Sequence, residues 1–139
     1  MSAGLAALLC LGAVGTIVAL YDKATEIPRS DPNVVMANFL GAYLVNQSDQ
    51  DAALYTCKES SGLGKLSSFR DEIKRTEKAN SVDIVVSWRN LAVQIDGSHA
   101  SAVVEIVRSV ASGVAESFDP WNFQLLDDGG WRVCSASPA

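Results

Sequence analysis

Near Ser81 the hydrophobic pattern of this chain changes its period. Upstream, apolar residues recur three and four positions apart, as one face of a helix requires; downstream they alternate, as a half-buried strand requires. Ser30-Asp31-Pro32 places a capping residue ahead of a proline at a first helical position, a strong start signal. Met36, Phe39, Leu40, Tyr43 and Leu44 then predict an amphipathic helix to about Asn46. Ser48 with Asp51 three residues on imitates a capping box, and Ala53, Leu54 and Cys57 would be the buried stripe of that second helix. Ser60 to Gly64 breaks it, and a third helix is expected over Lys65 to Lys78, with Leu66, Phe69 and Ile73 inward.

Beyond Ser81, Val82, Ile84, Val86 and Trp88 share one parity, while Leu91, Val93 and Ile95 share the other. A slip of one residue near Arg89-Asn90 predicts a β-bulge in a long strand. Asp96-Gly97 is a hairpin signal, Ala100 to Val110 the return strand and Phe118 to Leu126 a third, with Pro120 near its start. Asp127 to Gly130 turns the chain into a last strand, Trp131 to Ser135. Helices followed by antiparallel strands imply an α+β fold, with the helices on one face of a curved sheet.

The run Ala3 to Tyr21 carries no charge over nineteen residues. As a helix it would measure about 28 Å, close to the ~30 Å apolar core of a bilayer. It exceeds a usual signal-peptide core, and it lacks a basic segment before it and a small-residue cleavage site after it. The expected organisation is an uncleaved transmembrane anchor over 1–21, a polar linker over 22–30 and one domain over 31–139. A short stub ahead of a large polar domain fits a single-pass cell-membrane protein with that domain on the extracytoplasmic side. Flanking charge does not fix the orientation, because the downstream flank mixes Asp22, Lys23, Glu26, Arg29 and Asp31.

Net charge is −5, and no basic stripe alternates with aromatics, so nucleic acid is not an expected partner. Lys65, Arg70, Lys74, Arg75 and Lys78 are interspersed with Asp71, Glu72 and Glu77, which reads as a solvated helix face.

Three cysteines are present, and Cys10 falls within the apolar run, where it reads as a small hydrophobe. In an oxidising compartment the remaining pair, Cys57 and Cys134, reads as a disulfide; the competing reading is two free buried thiols. A metal centre would need more ligands than these cysteines and the lone histidine, His99, beside the hairpin turn. A thiol nucleophile would have His99 as its sole candidate base. Trp131 and Val133 share a parity that Cys134 does not. Either the even face of the last strand is the covered one, or that strand twists at its end.

The helical first third, the hairpin NLAVQIDGSHASAVVEI and the ending PWNFQLLDDGGWRVC resemble the nuclear transport factor 2-like (cystatin-like) superfamily. The nearest flavour is its membrane-anchored form in the actinobacterial envelope. That group's ending is matched by Trp121, Phe123, Leu125, Gly130, Trp131, Val133 and Cys134. The resemblance spans about residues 31 to 135 and includes Mce-associated proteins, accessory subunits of lipid importers; conjugation and type IV secretion assembly factors share the plan. It implies a cone of helices on a curved sheet, able to hold a small ligand at its mouth. Phe39, Tyr43, Trp88 and Trp121 would be the natural walls of such a cone.

Some members of that superfamily are isomerases or dehydratases, whose chemistry needs acids and bases converging in the cone. Asp83 and Glu105 fall at outward parity and Tyr43 on the apolar stripe; with Tyr55 they form no acid–base pair. No catalytic residues, metal or cofactor are expected. The expected role is a non-catalytic accessory or scaffold subunit, anchored in the lipid bilayer and docking on a larger membrane complex such as a Mce-type transporter. The alternatives are a cone binding lipid or another small molecule, a conjugation or type IV secretion assembly factor, and a small isomerase-like enzyme.

Overall fold

A computed structural model of the chain describes residues 27–59, 61–111, 113 and 115–139. The expected anchor and most of the linker lie outside these residues. Among the described residues, no helix is long and apolar enough to cross a membrane. The chain forms helices and then a four-stranded antiparallel sheet in meander order β1-β2-β3-β4, an α+β architecture.

Helix α1 spans Pro32–Leu40. Asp31 caps it, accepting a 2.9 Å hydrogen bond from the Asn33 amide, and Pro32 fills the position where a missing N–H costs nothing. Val35, Met36, Phe39 and Leu40 face the core. The helix widens into a π-turn over Gly41–Val45, closed by Asn46 donating to the Gly41 carbonyl at 2.9 Å. Gln47 then reverses the chain at φ 52°.

The second helix departs from its expected form. Ser48 caps it as expected, its hydroxyl accepting from the Asp51 amide at 3.2 Å. Yet α2 covers only Asp49–Ala52 and tightens into a 3₁₀ turn at Ala53–Tyr55. Ala52 is buried, while Leu54 is 40% exposed, so the expected stripe does not exist. The cause is downstream: Cys57 leaves the helix and donates its amide to the Val133 carbonyl at 3.0 Å, committing the chain to the sheet edge. Helix α3, Gly64–Asn80, buries Leu66, Phe69 and Ile73 as expected, but also Arg70. It ends at Ser81 in a left-handed conformation (φ 51°).

Strands β1 (Ile84–Asp96) and β2 (His99–Val110) turn at Gly97, whose φ of 62° suits glycine. The expected bulge is present: Arg89 opposes Glu105 but Ala92 opposes Val103, with Asn90 at φ 57°. It swaps the inward parity from Val86 and Trp88 to Leu91 and Val93, which pack against the core. Strand β3 covers Glu116–Asp127, and β4 covers Trp131–Pro138.

A second bulge lies between β3 and β4, where Gln124 opposes Ser135 but Leu125 opposes Val133. Cys134 is the extra residue. That resolves the parity conflict: Trp131 and Val133 are buried before the bulge and Ala136 after it. Thr56 and Gly62 meet the outer edge of β4, in bridges to Val133 and Ser135. Covering an edge in this way removes a template for unwanted strand pairing.

Candidate functional site

The residues expected to line a cone stand mostly in the packed interior. Phe39 is fully buried and stacks on Tyr43 with ring centroids 5.4 Å apart. Trp121 meets Phe69 edge-on at 5.3 Å and lies 6.5 Å from Phe123, which in turn meets Phe39 at 6.2 Å. These pairings fill the space between helices and sheet with aromatic rings, each burial worth about 1.5–3 kcal/mol. Trp88 stands apart, half-buried on β1, with its ring tip 3.8 Å from where a Gly41 side chain would begin.

Cys57 and Cys134 form a disulfide, with Cα atoms 4.9 Å apart and a sequence separation of 77. Because Cys134 is the bulged residue of β4, its side chain is free of the inward alternation and reaches Cys57 beside the edge of the sheet. Gly62 fits there because it has no side chain: a Cβ would collide with the Cys134 carbonyl and approach Ser135 Cβ at 2.7 Å. The disulfide, the two bridges and this close approach form one clamp on the edge of the sheet.

Arg70 does not stand on the solvated face expected of it. It is 8% exposed, the one buried charged side chain among the described residues. Its Nη1 donates to Asp49 Oδ1 at 2.7 Å and to the Tyr43 carbonyl at 3.4 Å, and its guanidinium carbon lies 4.2 Å above the Tyr43 ring. The hydrogen bond from Arg70 holds the Asp49 carboxyl below its ordinary range. Burial is the largest influence on Arg70 and opposes its charge, yet the Asp49 hydrogen bond together with the nearby Tyr43, Asp49 and Asp71 raises the arginine pKa. The signal is available in sequence, since Arg70 occupies the i+4 place in the Leu66, Phe69, Ile73 stripe. An arginine there must bring a partner with it.

The outer face of the sheet, opposite the helices, carries an unusual share of apolar side chains. Val85, Val103 and Phe118 are 52%, 48% and 43% exposed. Strand register puts them on one face with Ala92, Val107 and Pro120, across neighbouring rungs of β1, β2 and β3. Within that patch the Glu105 Oε2 accepts from Arg89 Nε at 2.8 Å and Asn90 Nδ2 at 3.0 Å. Arg89 also lies 4.1 Å above the Phe118 ring. The Arg89 and Asn90 hydrogen bonds lower the Glu105 pKa, and the Glu105 bond raises that of Arg89. Glu105 thus serves an ion pair on the outer face. Asp83 and His99 are exposed and Tyr55 is half-buried. Among the described residues, no three His, Cys, Asp or Glu side chains group as a metal site.

No protein-family model matches this chain, and no curated protein does. A solved structure of similar fold is that of a single-residue variant of Rv3472, a function-unknown protein from Mycobacterium tuberculosis. The similarity has a TM-score of 0.52 at 15% identity and covers 78% of this chain and 70% of that one. At that identity the likeness concerns fold alone.

Proposed function

We propose that this chain is a non-catalytic accessory subunit whose domain docks on a larger membrane protein complex through the outer face of its sheet. The observation that carries this reading is the exposed apolar patch around Val85, Val103 and Phe118 on a sheet whose other face is sealed by helices. Exposed contiguous apolar surface with a polar rim is characteristic of protein contact sites. The Arg89–Glu105 pair lies within that patch, between the rungs of Val103 and Phe118, and gives the contact orientation.

The finer parts of the proposal rest on sequence. The uncharged Ala3–Tyr21 run would hold the domain at a cell membrane, raising its effective concentration toward membrane-bound partners. The resemblance to nuclear transport factor 2-like domains of the actinobacterial envelope makes a Mce-type lipid transporter the first complex to examine, and a conjugation or type IV secretion assembly the next. The Cys57–Cys134 disulfide suits an extracytoplasmic domain. The aromatic filling of the interior favours docking over a lipid-holding cone.

The test is affinity purification in mild detergent from the native membrane, comparing the natural chain with Val103→Glu and Phe118→Glu. Recovery of a defined complex by the natural chain and its loss in both variants supports the proposal. Equal recovery by all three chains overturns it.

A further inference from the structure

We infer that two copies of this chain pair edge to edge through residues 91–95 of β1, joining their sheets into one antiparallel sheet of eight strands. The outer strands of the sheet are β1 and β4. The β4 edge is occupied by the Thr56 and Gly62 bridges and by the disulfide to Cys57. The β1 edge is open, and strand register tells which backbone groups point out of it. The Asp127 amide donates to the Ser98 carbonyl at 2.8 Å, so Ala100 and Ala102 turn their backbone groups to β3, and Ser101 and Val103 turn theirs to β1. Ala92 and Gln94 therefore bond to β2, while the N–H and C=O groups of Leu91, Val93 and Ile95 point away from the sheet. These groups have no backbone partner among the described residues.

Such an edge is a template for another strand unless something blunts it. The upstream half of β1 is blunted: Glu77 Oε2 accepts from the Ile84 amide at 3.0 Å, and the bulge at Asn90 interrupts the ladder. The half beyond the bulge reads Leu-Ala-Val-Gln-Ile, without a charge or a proline. It ends on Ile95, at 58% the most exposed large apolar side chain among the described residues.

The segment is complementary to itself. With a two-fold axis at Val93, Leu91 stands opposite Ile95 of the second copy, and Val93 opposite its own counterpart. That register makes six main-chain hydrogen bonds and covers Ile95 with an apolar neighbour. Ala92 falls opposite Gln94 of the second copy on the other face. Asp96 comes level with Asn90 of the second copy, next to Arg89, so each end sets opposite charges near one another and no like charges meet. Because the β4 edge is occupied, the assembly closes at two copies and does not grow into a filament.

The test is cysteine cross-linking of the full 139-residue chain in liposomes, in a Cys10→Ala background and under mild oxidation. Chains carrying Ala92→Cys are mixed with chains carrying Gln94→Cys. Opposite positions lie about 4.5–5.5 Å apart at Cβ and diagonal ones about 7–8 Å, so the mixture should cross-link at least about fivefold more than either chain alone. Ile95→Lys in both chains should lower the cross-linked yield about tenfold or more, since a charge on the edge opposes pairing. Its side chain is exposed, so an unchanged circular dichroism melt will show that the fold is kept. No cross-link in the mixture, equal yields in mixed and single populations, or a yield unmoved by Ile95→Lys overturns the inference. So does an adduct from Ala92→Cys, in the native membrane, with a different protein in place of the second copy.

Discussion

Replacing both bridging cysteines, as Cys57→Ala with Cys134→Ala, removes a cross-link between residues 77 apart. In the chain-entropy treatment, closing a loop of that length restricts the unfolded chain by about 15 cal/mol/K, or about 4.5 kcal/mol at 25 °C. Measured losses usually fall below this chain-entropy figure. A net loss of about 3–4 kcal/mol is expected, a large part of the 5–15 kcal/mol by which such domains are stable. For a domain near 110 residues, that lowers the melting temperature by about 12–16 °C. Circular dichroism melts of the natural chain, with and without reductant, and of the double variant would measure it. Reductant should move the natural chain to the variant's curve and leave the variant unmoved. A difference under about 3 °C would refute the clamp, since it would mean that the hydrogen bonds and bridges alone hold the edge of β4.

Other expectations follow from the same geometry. Gly62→Ala should cost about 1–3 kcal/mol in urea unfolding, since its methyl meets backbone and Cβ atoms of β4 that have little room to move. Phe123→Ala removes the ring shared by Phe39 and Trp121 and should cost about 3–5 kcal/mol, read in the same assay. Asp49→Asn should cost about 1 kcal/mol at neutral pH, a modest figure because Asp49 is 74% exposed and screened by solvent. Its folded pKa lies below the unfolded value near 3.9, so the pair's contribution is complete above that value and lost as pH falls through the folded one. Unfolding curves for the two chains should therefore differ at pH 7 and converge on strong acidification.

The main lines of the fold are legible in sequence because large apolar residues report their own orientation. The bulge at Asn90 can be read since Trp88 and Leu91 lie on either side of it and break parity visibly. The bulge at Cys134 cannot, because Ser135, Ala136 and Ser137 after it are too small and polar to mark a face. For the same reason the covered face of β4 is ambiguous in sequence, although its cysteine pairing is not hidden there. Helix α2 is shorter than its sequence suggests: its cap is real, but capping fixes where a helix begins and not how far it runs, and the edge of β4 captures the chain at Cys57. The charged neighbours of Arg70 point toward solvent, whereas its place on the Leu66 stripe is the better guide to its burial. The outer apolar patch joins β1, β2 and β3, and only strand register brings Val85, Val103 and Phe118 onto one surface.

Site-specific photocrosslinking in the native membrane tests the docking claim most directly. A photoreactive residue at Val103 or Phe118 on the outer face should yield one discrete adduct with a membrane-complex subunit. The same group at Lys78, exposed on α3 across the domain, should not. Adducts from Lys78 but not from Val103 or Phe118, or from none of the three, would contradict the account.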